Sequence, residues 1–455
     1  MKSPKIIFLV LQVSAVSSFS VAHAATLFHL DLHAIHQPRN ADMQVPLLYL
    51  TPNTPKYAAH VAHALSVGLQ RMLFMGYYPD WLGSTFPPER IDYRRFDWID
   101  FAFAVPEANA TLSWDDPGAP DLLDRLVSGA HSNGCKVKLS IGGWTGSKHQ
   151  FKNIVRHFSS VMATDHLRES FVNNVVAAYQ TYQLDGIEID WEYPGHSGSS
   201  ANKPRADDTA NFLEFLRSLR AALPAEAKIT AAVEPTPFVD DKGLPLKDVS
   251  DFAEVLDWIL IMNYDLWGSS SHPGPNAPLY DACGNSTQPA GSALGSYTAW
   301  TQASFPAYKL VLGLPSYGYI SSSSARFLRT RSKATKKQHK QSTSFKISSG
   351  DGDSDGQVQF RDLISQGALS PLHNNLYESA HGFERLWDFC SGTPYLQSSQ
   401  SKQVITFDDP MSLGMKATFA KEVGMLGVNL FDIHGDTNDW NLTDAIRNSL
   451  GLHET

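Results

Sequence analysis

The stretch LDGIEIDWEYP, residues 184–194, decides how the rest of the chain is read. Glu188, Asp190 and Glu192 alternate there with Ile187, Ile189 and Trp191. A β-strand turns successive side chains to opposite faces, so every acid falls on one face and every bulky apolar residue on the other. Like charges along a strand usually mark a solvated face. Here the same-face position upstream is Gly186, the opposite face is strongly apolar, and the run ends in Tyr193 and Pro194. If the acid face lies inside a barrel, neighbouring carboxylates cannot all ionise cheaply, and at least one should hold a proton near neutral pH. A glutamate kept protonated in this way is a general acid.

Outward from this strand, short apolar runs alternate with amphipathic segments. The runs are Leu73 to Tyr77, Trp98 to Ala104, Lys136 to Ile141, Gly186 to Trp191, Lys228 to Val233, Trp258 to Met262, Lys309 to Leu314 and Leu426 to Phe431. Between them lie Asp121 to Ser132, Leu167 to Tyr182, Asp207 to Leu223 and Ser412 to Val423, each with apolar residues three and four apart. Eight such units predict an α/β fold, a closed (β/α)8 TIM barrel rather than the alternative doubly wound sheet. Chemistry in such barrels gathers at the carboxyl ends of the strands. Those ends carry Tyr77 and Tyr78, Phe103, Gly142 to Trp144, Glu192 and Tyr193, Glu234, Asn263 to Asp265, and Phe431 with Asp432. Aromatic residues mixed with acids suit a sugar, because rings stack on the apolar face of a pyranose while acids handle its hydroxyls and glycosidic oxygen.

More than a hundred residues separate the last two apolar runs, so an insertion is required. The barrel is expected to comprise residues 71–319 and 408–452, with residues 320–407 forming a basic, Ser-rich loop followed by a small α+β subdomain. Phe383, Leu386, Trp387 and Tyr395 could supply that subdomain's core.

Lys2 and Lys5, an apolar run from Ile6 to Val13 and the Ala22-His23-Ala24 site read as a signal peptide over residues 1–24, which predicts a secreted, extracellular product. Residues 25–70 form an extension of no evident role. With 18% charged residues and a net charge of -9, the chain has the balance of a globular protein and gives no reason to expect nucleic acid or a membrane as partner. A monomer is expected. Cys283 and Cys390 lie in loop-like surroundings and could pair, whereas Cys135 opens an apolar strand and reads as a buried thiol. Asn109, Asn285 and Asn441 head possible glycosylation sequons. No metal site is evident, since the histidines are scattered and no Cys/His pair has ligand spacing. No cofactor is expected either.

With these residues in view, the chain resembles the glycoside hydrolase family 18 chitinases, its secreted fungal members most of all. The signatures occur in order: MGYYPDW from Met75, FAFA from Phe101, KLSIGGW from Lys138, DGIEIDWEYPG from Asp185, MNYDLWG from Met262, KLVLGLPSYGY from Lys309 and GVNLFDIHGD from Gly427. The resemblance implies chitin or chito-oligosaccharides as substrate. It makes Glu192 the general acid, Asp190 the residue that holds the substrate's N-acetyl group, and Tyr264 a donor to the acetamido carbonyl. Glu188 stands at the inner acid position, where the family pattern DxxDxDxE has Asp. Tyr77 and Ser140 match positions that support this inner acid. Trp144 matches a stacking position on the leaving-group side, Asp265 a contact to the distorted sugar, and Gly143, Tyr193 and Met262 the cleft lining. Phe431 stands where the family usually carries Trp beneath that sugar. A chitin-binding lectin, an endo-β-N-acetylglucosaminidase acting on N-glycans, and a secreted structural protein are the competing readings. Retention of Glu192, Asp190 and Tyr264 argues against the lectin, and the long insertion with complete SIGGW and MNYD signatures favours chitin over N-glycans.

Overall fold

The computed structural model describes residues 71–114, 116–144, 157–196, 198, 204–329, 345–349 and 355–452. The expected signal peptide, the extension over residues 25–70 and the most basic part of the Ser-rich loop lie outside these residues. Eight parallel strands form the barrel: β1 (Leu73–Pro79), β2 (Trp98–Pro106), β3 (Lys136–Gly142), β4 (Gly186–Asp190), β5 (Lys228–Val233), β6 (Trp258–Ile261), β7 (Leu310–Pro315) and β8 (Gly427–Phe431). Pairing of β1 with both β8 and β2 closes the sheet on itself. Each strand coincides with one of the apolar runs in the sequence.

Period two divides the apolar residues into two layers. Ile187 and Ile189 of β4 point outward and pack with Phe171, Phe215 and Leu219 in the layer between barrel and helices. Met75, Tyr77, Trp98, Trp258, Leu260 and Val311 point inward and fill the barrel. The helices close the outer layer for local reasons. Ala119–Ser132 begins with Pro120 and turns Leu122, Leu123, Leu126, Val127 and Ala130 to the core. In Pro410–Glu422 the Asp409 side chain accepts from the Ser412 N–H while the Ser412 hydroxyl accepts from the Asp409 N–H, a reciprocal cap. Among the described residues no helix is long and apolar enough to cross a membrane.

The insertion between β7 and the helix Pro410–Glu422 is an antiparallel five-stranded sheet in the order Gln357–Gln359, Tyr317–Ser322, Gln403–Thr406, Thr393–Ser398, Glu384–Asp388. The helix Phe360–Ser365 and a two-stranded ribbon accompany it. Its first strand starts at Tyr317, two residues past the end of β7, so the sheet is joined to the barrel almost without a linker. Tyr395 packs there with Ala325, Leu328 and Val404, and Leu386 lies against them. Phe383 is buried too, its ring 6.3 Å from that of Phe345, and Trp387 is half-buried. Cys283 and Cys390 are joined, tying the loop after β6 to the insertion. Arg329 adds an ion pair to Asp388 at 2.9 Å. Cys135 is a buried free thiol, its proton held by burial first and by neighbouring carboxylates second.

Candidate active site

Register places the acids of β4 at successive heights inside the barrel. Lys138 of β3 pairs with Gly186, Ser140 with Glu188, and Gly142 with Asp190. Glu188, fully buried, therefore lies one pleat below Asp190, which is 3% exposed, and Glu192 follows at the mouth with 6%. The Tyr77 hydroxyl donates to Glu188 Oε2 at 2.5 Å. Thr230 of β5 contacts Oε1 at 3.3 Å. Ser140 is buried beside Glu188, but its hydroxyl makes no hydrogen bond among the described residues.

Two glycines shape the wall next to Asp190. Gly142 and Gly143 have φ of 122° and 81°, and the Gly143 N–H donates to the Asp190 carbonyl at 2.9 Å. A Cβ on Gly143 would lie 2.7 Å from the Phe103 ring, so only glycine lets these two come together. Trp144 follows them and is 50% exposed at the rim.

Opposite the acids stands a wall of rings. Phe431 lies 5.1 Å from Tyr77 and 5.9 Å from Tyr264, centroid to centroid, and Met262 packs with Tyr264, Tyr317 and Phe431. Burial, followed by the fields of Asp190, Asp265, Glu192 and Glu188, pushes the Tyr264 hydroxyl well above its ordinary value. It stays a donor at neutral pH. Tyr193 is held protonated in the same way by burial and then by Glu192, Asp190 and Glu234, and its ring stacks on His196. Asp265 has a left-handed backbone with φ of 59°. Its Oδ1 accepts from the Tyr317 and Tyr319 hydroxyls at 2.7 Å each.

The structure thus brings together Tyr77, Ser140, Gly143, Glu188, Asp190, Glu192, Tyr193, Met262, Tyr264 and Phe431, with Asp265 beside them and Trp144 at the edge. Sequence reasoning missed several members. Trp81, exposed after β1, lies 6.2 Å from Phe103 and extends the aromatic rim. Tyr317 and Tyr319 come from the insertion sheet. Beneath the acids lies Lys138, fully buried, with its Nζ 3.2 Å from Glu188 Oε1 and 3.0 Å from Asp100 Oδ1. Glu188 thus has a cation of its own inside the barrel. The one local signal was a lone aspartate in the apolar run of β2.

The model of the family described as "Glycosyl hydrolases family 18" matches residues 73–436, the whole barrel with its insertion. The chain belongs to glycoside hydrolase family 18. A "chitinase-like effector" of Moniliophthora roreri is 35% identical, over 83% of this chain and 92% of its own length. Chitinase A1 of Niallia circulans is 28% identical, over 86% of this chain and 60% of its own. Among solved structures, a chitinase from Rhizomucor miehei superposes with a TM-score of 0.66 at 30% identity, covering 83% of this chain and 99% of that one. This family 18 protein is accordingly a glycoside hydrolase with its acids at the carboxyl mouth of the barrel.

Proposed function

We propose that this family 18 hydrolase is a secreted chitinase that cleaves β-1,4 linkages between N-acetylglucosamine units with retention of configuration. The acetamido oxygen of the bound sugar attacks its own anomeric carbon while Glu192 protonates the departing glycosidic oxygen. Asp190 accepts the acetamido N–H, which raises the nucleophilicity of the oxygen and stabilises the cation of the cyclic intermediate. Tyr264 donates to the acetamido oxygen and orients it. Glu192, now a carboxylate, takes a proton from water, which opens the ring from the face the leaving group left. Asp265 grips the distorted sugar and Phe431 supports it from below.

One observation carries the reading: a buried tyrosine donor, Tyr264, faces Asp190 and Glu192 across a site walled by Tyr77 and Phe431. The family and the chitinases among its relatives supply the substrate class. Secretion is supported by the Lys2 to Ala24 segment and by the Cys283–Cys390 bond, which suits an oxidising compartment. The test is incubation with a chitin hexamer, reading product sizes and anomeric form at early times. Dimers and trimers released as the β-anomer are expected. Glu192→Gln should keep oligomer binding while turnover falls by about 10²–10⁴-fold. Equal turnover of the two proteins would sink the mechanism.

A second reading has one specific support. Two relatives, at 35% and 32% identity, carry the name "chitinase-like effector" rather than chitinase. A chitin-binding protein with little turnover would bind the hexamer tightly and release nothing.

A further inference from the structure

Beneath the reacting groups lies a buried charge for which the proposed reaction has no step. Lys138 is fully buried on β3, one pleat below the acids of β4. Its ammonium donates to Glu188 Oε1 at 3.2 Å and to Thr230 Oγ1 at 2.9 Å, and it pairs with Asp100 Oδ1 at 3.0 Å. The Trp258 ring centre lies 4.8 Å away. Gly186 makes room for it, since a Cβ there would meet the Lys138 stem at 3.1 Å. An ammonium stripped of water persists only where oxygens take its protons, and these partners supply them.

The consequence falls on Glu188. Its Oε1 faces Lys138 and the Thr230 hydroxyl, and its Oε2 accepts from Tyr77. Burial, then Glu188 and Asp190, hold the Tyr77 hydroxyl protonated well past neutral pH, so it remains a donor. Donors on both oxygens hold the carboxyl from two sides and fix its orientation. The extra methylene of glutamate over aspartate gives the reach to these partners.

We propose that Lys138 is a positioning residue of the active site: it pins Glu188 to the barrel interior as a carboxylate, so that Glu188 does not share a proton with Asp190. Asp190 is thereby left to Glu192 and the substrate amide. This rests on the roles proposed above for Asp190 and Glu192. The other groups facing the cluster agree with it. Asp100, on β2, accepts from Asn429 of β8 at 2.6 Å. Burial and then Glu188 push its carboxyl up to about 7 against the pull of Lys138, so near neutrality part of the competing negative charge is already withdrawn. Tyr264, above, is a neutral donor.

The first measurement needs no active enzyme. Carboxyl ¹³C resonances of the intact protein are followed with pH, and Glu188 is assigned by its absence in Glu188→Gln. Expected, across about pH 4–8, is a Glu188 signal whose response to pH changes in Lys138→Met. A wild-type Glu188 that titrates there together with Asp190 overturns the proposal. The kinetic readout is the alkaline limb of kcat/KM on chito-oligosaccharides. In Lys138→Met it should move by about one pH unit, because the ammonium beneath Asp190 and Glu192 is gone and the charge of Glu188 is no longer fixed. Lower activity with both limbs in place would mean that Lys138 only fills space. Lys138→Met/Glu188→Gln removes both charges and should regain melting temperature lost by Glu188→Gln alone; strictly additive losses count against the pairing. If the protein binds chitin without cleaving it, the resonances still decide the role of Lys138, and only the proposed function fails.

Discussion

Removing the Tyr317 hydroxyl tests whether the insertion takes part in the chemistry. Asp265 Oδ1 accepts from Tyr317 and Tyr319 at 2.7 Å each, and both tyrosines lie on the first strand of the insertion sheet. The acid's left-handed backbone is held separately, by its N–H donating to Asn276 Oδ1 at 2.8 Å, while Asn276 Nδ2 donates to the Tyr317 carbonyl at 3.1 Å. Tyr317→Phe therefore keeps ring, backbone and Asn276 and deletes one hydrogen bond. Tyr317 is buried, and a buried hydrogen bond to a charged group contributes about 1.5–3 kcal/mol. Felt wholly in the transition state, that range corresponds to roughly 10- to 150-fold in kcat/KM. Tyr319 still holds the same oxygen, so about tenfold is expected for Tyr317→Phe. The Tyr319 hydroxyl is exposed, and its loss alone should cost about threefold. Both bonds end on one atom, so the double variant should lose more than the product of the singles. The assay is initial rates on a chitin tetramer with kcat and KM separated, and melting temperatures as the control for folding. Tyr317→Phe within twofold of wild type at unchanged melting temperature would show that Asp265 needs no support from the insertion.

Gly143→Ala should destabilise and slow the enzyme together. It forces a Cβ to 2.7 Å from Phe103 at φ of 81°, which by the costs of left-handed backbone and overpacking amounts to about 2–4 kcal/mol in denaturant unfolding. A variant as stable as wild type would mean that Phe103 has room to withdraw. His434 gives a pH signature. Burial first, then Arg361 and Arg90, lower its pKa from 6.5 to about 4. The folded value lies below the unfolded one, so between them the unfolded chain binds the extra proton, and the stability present above pH 6.5 is lost as pH falls toward 4. His434→Gln should flatten that slope, shrinking the stability difference between pH 7 and pH 4 by about 1–3 kcal/mol, with the half-buried ring favouring the lower figure. An unchanged slope would place the acid sensitivity elsewhere.

The barrel and its acids were legible because both obey short periods. Each strand is an apolar run bounded by breakers, and the alternation of Glu188, Asp190 and Glu192 with Ile187, Ile189 and Trp191 states which face they share. The supports of those acids were not legible, because they depend on contacts distant in sequence. Lys138 stands in an apolar run with an exposed Lys136 two residues before it on the same face, and nothing local tells a buried lysine from a solvated one. Its neutralisation comes from Glu188, fifty positions later, and from Asp100 on another strand. Tyr317 and Tyr319 read as the end of the β7 signature, whereas the chain has by then left the barrel for the second sheet.

The position of that second sheet follows from the site as much as from the chain's connectivity. The insertion holds down the ends of two barrel strands that carry the aromatic wall. After β6, Tyr317 and Tyr319 fix Asp265, and the Cys283–Cys390 bond fixes the loop beyond it. After β8, the Ser316 hydroxyl, between β7 and the insertion, donates to the Asp432 carbonyl at 2.8 Å, and Arg361 donates to the His434 carbonyl at 3.1 Å. Tyr264 and Phe431 sit just inside these anchors, 5.9 Å apart. A barrel strand ends in a loop that is free to move unless something outside the barrel grips it. Here the grip on both sides of the wall comes from one insertion joined almost directly to β7, the strand that lies between them in the barrel. Substitutions that loosen the insertion should therefore act on the placement of Tyr264 and Phe431 before they act on the acids of β4, which the barrel interior holds through Tyr77 and Lys138.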